Sequence, residues 1–165
     1  LLGVSKPSSL LLLQDPNHLR TCFSTGLPYM EQATADHGGE LGIQGTRGAE
    51  VLKLWMSLQY LGLEGIEKIL EGAFLRAHSL RSLLEPLPLH LLAGDLHLLS
   101  FNSAAESADE QINWRDRCHK QLLESGFWLS KPDWRDLPLL KAVLGNPFTS
   151  AMHLEQLAEI ISRSL

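Results

Sequence analysis

The sequence predicts part of a larger α/β protein that closes in a small α+β domain, and three observations carry this. An aliphatic run near the start reads as a buried strand, apolar residues in the middle recur at helical spacing, and strands alternate with helices after Pro86. No internal repeat is visible.

In chain order, Ser8 to Gln14 is continuous and aliphatic and is closed by Asp15-Pro16-Asn17, the pattern of a buried strand ended by a turn. Pro16 suits the first turn of a short helix through Phe23. Ser24 to Gly48 is polar and glycine-rich without an apolar period, which predicts a long exposed loop. Val51, Leu52, Leu54, Trp55, Leu58 and Leu61, then Ile66, Ile69, Leu70, Phe74 and Leu75 beyond Gly62 and Gly65, predict two amphipathic helices or one that is bent. Pro86 and Pro88 break the pattern. Leu89 to Phe101 reads as a hairpin around Gly94-Asp95. A helix follows from about Ser107 to Glu124, with Gly126 as its C′ residue. Phe127-Trp128-Leu129 and Leu137 to Leu144 predict two short strands, and Thr149 or Ser150 caps a last helix that turns Leu154, Leu157, Ile160 and Ile161 to one face. The C-terminal part is thus expected to be a mainly antiparallel sheet covered by helices on one face.

The composition excludes several function classes. With 165 residues, 44% apolar content and a formal charge of −5, the chain fits a globular protein and argues against nucleic acid or an acidic membrane surface as partner. Cys22 and Cys118 stand far apart, which indicates neither zinc nor a disulfide framework, so a cytoplasmic setting is the default. No apolar run is long enough to span a bilayer. The apolar start without an initiator methionine suggests a piece of something longer. Seven histidines form no metal-binding motif, and Cys118-His119 on a helix points two ways, so no metal site is expected. The glycines at 38, 39, 42 and 45 make no dinucleotide fingerprint, and Ser24, Ser103 and Ser107 have no assignable base.

More specific information comes from a resemblance. Leu1-Leu2-Gly3-Val4, Pro7-Ser8-Ser9 and Leu10 to Leu13 resemble the stretch that follows the cofactor lysine in group II pyridoxal-phosphate-dependent amino-acid decarboxylases, the family of glutamate, cysteine-sulfinate and diaminobutyrate decarboxylases. Tyr29 in Leu27-Pro28-Tyr29-Met30, and Thr46-Arg47 before Glu50-Val51-Leu52-Lys53-Leu54-Trp55, keep the register. Leu140-Lys141-Ala142-Val143-Leu144-Gly145-Asn146-Pro147 resembles the family's last strand and its Asn-Pro exit.

The resemblance implies an α/β protein of the fold-type-I class. Residues 1–48 would end the cofactor-binding large domain and carry a mobile active-site loop at about 24–48, residues 49–85 would be connecting helices, and residues 86–165 the small C-terminal α+β domain. It implies pyridoxal 5′-phosphate as cofactor, held by a Schiff-base lysine immediately before Leu1, and a homodimer with its active sites at the interface. No certain cofactor contact falls within this chain. Tyr29 matches the loop tyrosine that donates a proton to the substrate's α-carbon. Thr46 stands where relatives have a small residue beside the substrate side chain, and Arg47 is read as structural. Lys141 is the main departure, because glutamate and cysteine-sulfinate decarboxylases usually place an arginine there to hold a carboxylate bidentately, which lysine cannot do. Lys6 is rejected as the cofactor lysine, since it would shift the register by six residues. The implied activity is decarboxylation of a small polar amino acid of the 2,4-diaminobutyrate, glutamate or aspartate type. A non-catalytic remnant of the same fold and a fold-type-I aminotransferase are the alternatives.

Overall fold

The structure is a computed structural model that describes residues 11–15, 17–23, 41–43, 48–92, 94 and 96–165. The chain divides into two compact units, Gly3–Tyr60 and a larger one that holds Leu61–Leu165.

In the smaller unit, α1 (Asn17–Phe23) starts where Asp15 Oδ1 accepts the Asn17 N–H at 2.9 Å, the side-chain turn that opens a helix. Leu11–Leu13 form no strand and are exposed. This corrects the buried strand expected over residues 8–14, of which 8–10 lie outside the described residues. A strand needs a neighbour to take its N–H and C=O groups, and no described residue pairs with this run.

The segment α2 (Val51–Leu84) is two helical stretches that meet across a kink, the first of the two alternatives expected. Its interruption is Gly62, at φ 64° and ψ 179°, a combination open to glycine alone, whereas Gly65 remains helical. Val51, Leu52, Trp55 and Leu58 are exposed although their spacing predicts a buried face. The buried cluster lies wholly in the larger unit.

That cluster is built on a sheet. β1 (Leu89–Leu92) and β2 (Leu98–Ser103) form the expected hairpin, with Leu91 opposite Phe101. Gly94 is required in the connection, because a Cβ there would fall 2.3 Å from the Leu98 carbonyl oxygen. Next, α3 (Ala108–Glu124) begins after Ser107 and ends in paired bonds, Gly126 N–H to Leu123 O at 3.1 Å and Phe127 N–H to Leu122 O at 2.8 Å, with Gly126 at φ 84°.

These bonds explain a second correction. The strand expected at Phe127–Leu129 does not form, since the Phe127 N–H is taken by the helix end and only Ser130 bridges to the sheet. In its place a small hairpin appears that the sequence pattern did not announce. β3 (Asp133–Trp134) pairs with β4 (Leu137–Pro138) across Arg135 and Asp136, both at positive φ, the backbone of a two-residue hairpin turn usually built from Asn and Gly. Finally, β5 (Leu140–Val143) joins β2 antiparallel, giving the order β1-β2-β5.

The chain leaves β5 through Asn146, whose Oδ1 accepts the Phe148 N–H at 3.0 Å. It enters α4 (Ala151–Ser164) at Ser150. Ser150 Oγ accepts the His153 N–H, and the Ser150 N–H is accepted by His153 Nδ1 at 3.1 Å, a capping box with histidine in the usual place of glutamate.

Alternation along the strands turns Leu99, Phe101, Leu140 and Ala142 to one face. There they meet Leu80 and Leu84 of α2, Trp114, Cys118 and Leu122 of α3, and Leu154, Leu157 and Ile161 of α4. Phe101 and Trp114 pack edge to face with centroids 6.4 Å apart. Arg76 Nε donates to Leu144 O at 2.9 Å and ties α2 to the end of β5. The helices thus cover one face of the sheet and leave the other for Lys141.

Candidate functional site

Of the three site residues expected from the sequence, Tyr29 and Thr46 lie outside the described residues, as do Leu1, Lys6 and Arg47. Lys141 lies within β5, between the buried residues Leu140 and Ala142. Its backbone is fixed on the outer side by Ser130: the Lys141 N–H donates to Ser130 O at 2.9 Å, and Lys141 O accepts the Ser130 N–H at 3.2 Å. Those bonds point away from β2, so Lys141 and its cross-strand partner Ser100 form a non-hydrogen-bonded pair, the kind that brings side chains closest.

Both side chains stand on the open face of the sheet. There a cleft of about 340 Å3 runs between the sheet and the β3–β4 hairpin, walled by Leu92, Leu98, Trp134 and Leu139 with Ser100 and Lys141 at its polar end. Lys141 Nζ makes no hydrogen bond or ion pair with any described residue. A single ammonium beside a hydroxyl, in a mainly apolar cleft, can meet one anionic oxygen of a small ligand. It cannot make the two parallel bonds of a guanidinium.

Charged pairs hold the hairpin that forms the far wall. Arg115 on α3 donates through Nη1 to Asp133 Oδ1 at 2.6 Å and through Nε to Asp116 Oδ1 at 3.2 Å, and Lys131 Nζ reaches the same Asp116 oxygen at 3.2 Å. Burial alone would raise the Asp116 carboxyl, but the hydrogen bonds from Lys131 and Arg115 and their charges outweigh it and hold the group below the usual carboxylate range. The Arg135 guanidinium lies over the Trp134 ring, 4.5 Å from its centroid.

Sequence reasoning missed Ser100 and Trp134. The signal for Ser100 was present, a polar residue alternating with Leu99 and Phe101. None marked Trp134, because the Arg135-Asp136 turn lacks glycine.

Other chemistry is sparse. His97, in the β1–β2 connection, has its Nδ1 buried without a partner, and burial lowers its pKa. Cys22 and Cys118 are free thiols, and burial pushes the Cys118 thiol up. Among the described residues no group of three or more His, Cys, Asp or Glu side chains could hold a metal, and no helix is long and apolar enough to cross a membrane.

Compared by sequence, the chain matches no family model and no curated protein. Its structure matches solved ones. Tryptophan decarboxylase from Catharanthus roseus in complex with L-tryptophan superposes with a TM-score of 0.71 at 16% identity, over 90% of this chain and 33% of that one. Oryza sativa TDC with PLP and tryptamine gives 0.62 at 15%, over 70% and 26%. The glutamate decarboxylase domain of the diaminobutyrate-pyruvate transaminase and L-2,4-diaminobutyrate decarboxylase from Vibrio parahaemolyticus gives 0.56 at 19%, over 70% and 25%. The chain therefore has the fold of one part of these decarboxylases, of the fold-type-I class. It spans about a quarter to a third of their length.

Proposed function

We propose that this chain is the C-terminal part of a pyridoxal-phosphate-dependent amino-acid decarboxylase that acts, as part of a longer polypeptide, on a small polar amino acid of the diaminobutyrate, glutamate or aspartate type. The observation that carries the reading is Lys141. It is an ammonium without a partner among the described residues, in a cleft, on a strand of a fold that this chain shares with decarboxylases, within a motif that resembles the family's last strand.

The cofactor, when bound, supplies the electron sink for loss of CO2. Its own contacts are assigned upstream of Leu1. Lys141 offers a point charge suited to a carboxylate, and it lacks the converging N–H donors that a phosphate takes. In this reading Lys141 Nζ binds a substrate carboxylate and Ser100 Oγ orients beside it. Thr46 narrows the pocket around the substrate side chain, and the Tyr29 hydroxyl gives its proton to the substrate's α-carbon. Residues 1–48 finish the large domain, 49–85 connect, and 86–165 form the small domain of a cytoplasmic homodimer whose active sites lie at the interface.

The test is made on the intact polypeptide. Borohydride treatment of the protein loaded with pyridoxal phosphate should fix the cofactor to the lysine just before Leu1, and the amino acids named should release CO2 with formation of the amine. Fixation on Lys6 refutes the register. Exchange of the amino group without CO2 assigns an aminotransferase, and no cofactor uptake assigns a non-catalytic remnant.

A further inference from the structure

The turn that starts α4 carries a histidine where a capping box ordinarily has an acid. Ser150 Oγ accepts the His153 N–H at 3.4 Å, the Ser150 N–H donates to His153 Nδ1 at 3.1 Å, and Ser150 Oγ stands 3.1 Å from the same ring nitrogen. A backbone N–H can only donate, so Nδ1 presents its lone pair and the ring is neutral, with its proton on Nε2. His153 is exposed, so water delivers protons to the ring freely.

A glutamate in this place would go on accepting the Ser150 N–H in neutral or mildly acid solution, whereas an imidazole accepts only until it is protonated. The imidazolium would set one donor against another at Nδ1. Turning its new N–H toward Ser150 Oγ keeps one bond and still leaves the Ser150 N–H without an acceptor. Its charge would also stand at the positive end of the helix dipole. No carboxylate among the described residues is there to offset it: His153 is the one titratable residue lining a cleft of about 260 Å3 that it shares with Trp128, Leu129, Val143, Leu144 and Thr149. On α3, Arg117, Cys118 and Glu124 lie by Ser164 and Arg163 at the far end of α4. His119 gives its Nε2–H to Leu129 O at 3.0 Å, a bond that a second proton on that ring leaves intact. Arg76 of α2 reaches the cleft's edge at Leu144 O, and Lys141 stands on the other face of the sheet. On α4 itself Glu155, two positions on, faces away, and Glu159 pairs with Arg163.

We propose that His153 is a proton-sensitive latch: when Nδ1 takes up a proton, the Ser150 N–H loses its acceptor and the first turn of α4 opens on the cleft it borders. The balance between the closed and the open turn should move about tenfold toward open, the combined worth of one hydrogen bond and one misplaced charge at a helix start. The rest of α4 stays in place, because Leu154, Leu157 and Ile161 are buried in the core.

The test uses the isotope-labelled full chain and does not need pyridoxal phosphate, so its outcome is independent of the decarboxylase reading. Magnetic resonance spectra are followed as the pH is lowered from about 8 to about 5, the span in which histidine changes charge. The Ser150 amide proton should move upfield in step with the His153 ring carbons, and the Cα shifts of residues 151–153 should fall toward coil values. His153→Glu restores an acceptor that keeps its charge across this span and should abolish both responses. His97→Gln, in the β1–β2 connection, should leave both in place. The proposal is overturned by any of three results: a Ser150 amide that stays put while the His153 ring titrates, a His153→Glu variant that responds as the parent does, or loss of the response in His97→Gln.

Discussion

Truncating Phe101 to alanine removes the side chain on which the sheet and α3 meet. Phe101 is fully buried, lies between Leu91 on β1 and Leu140 on β5, and packs edge-on against Trp114. Deleting a buried phenylalanine costs about 3–5 kcal/mol through lost transfer energy and the cavity left behind. The aromatic pair adds about 0.5–1.5 kcal/mol beyond area burial, so a loss of about 4 kcal/mol or more is expected. Phe101→Leu keeps most of the volume and should cost under about 1.5 kcal/mol. Urea unfolding followed by near-ultraviolet circular dichroism measures both; at a slope of about 2 kcal/mol per molar, the alanine variant's midpoint should fall by about 2 M. A loss under about 2 kcal/mol at unchanged slope would mean that the site collapses freely, and that β2 is not pinned by this contact.

If the proposed function holds, Lys141→Arg in the intact polypeptide should keep most activity, while Lys141→Ala should raise KM about tenfold with kcat little changed, as expected for lost ground-state binding; an unchanged KM removes Lys141 from the proposed site. Tyr29→Phe should lower the yield of amine while CO2 release persists, and product analysis that finds amine at the parental rate assigns Tyr29 to the scaffold. Stability should fall as pH drops below about 6.5, because the unfolded chain protonates His97 at its ordinary pKa while burial holds the folded ring neutral to lower pH. His97→Gln should flatten that slope in pH-dependent urea titrations. Asp116→Asn should instead remove a loss that begins below about pH 4, where the unfolded carboxylate takes up its proton before the folded one. Gly94→Ala should cost about 2 kcal/mol or more, as its Cβ meets backbone that cannot turn aside; thermal unfolding like the parent's would show that the connection relaxes.

The larger unit was legible wherever local signals agreed with packing. The β1–β2 hairpin, α3 with Gly126 as its stop, and α4 with Ser150 as its cap all follow from periodicity joined to a turn or cap residue. Legibility failed where tertiary bonds decide. Phe127-Trp128-Leu129 has strand composition, but the Phe127 N–H belongs to the end of α3. Leu11–Leu13 has it too, yet a strand exists only beside another. Arg135-Asp136 adopts a turn that residue type disfavours, because its support comes from Arg115 and from the Trp134 ring, neither visible in a local pattern. Lys141 is a candidate from its motif alone, while Ser100 and Trp134 join it in one cleft only once the strand register is fixed.

That turn has a consequence for the Lys141 cleft. Two side-chain-bearing residues at positive φ cost about 1–3 kcal/mol each, so the β3–β4 hairpin is held against its own backbone by contacts that reach it from outside. Its two-residue strands bring little ladder of their own. It should therefore open as a unit well below the free energy of global unfolding, so that its amides exchange with deuterium long before those of β2. Added salt, by weakening the hold of Arg115 on Asp133, should hasten that exchange. One wall of the cleft is then a breathing element and the other a fixed one, and ligand capture at Lys141 would register as slowed amide exchange in residues 133–137 alone.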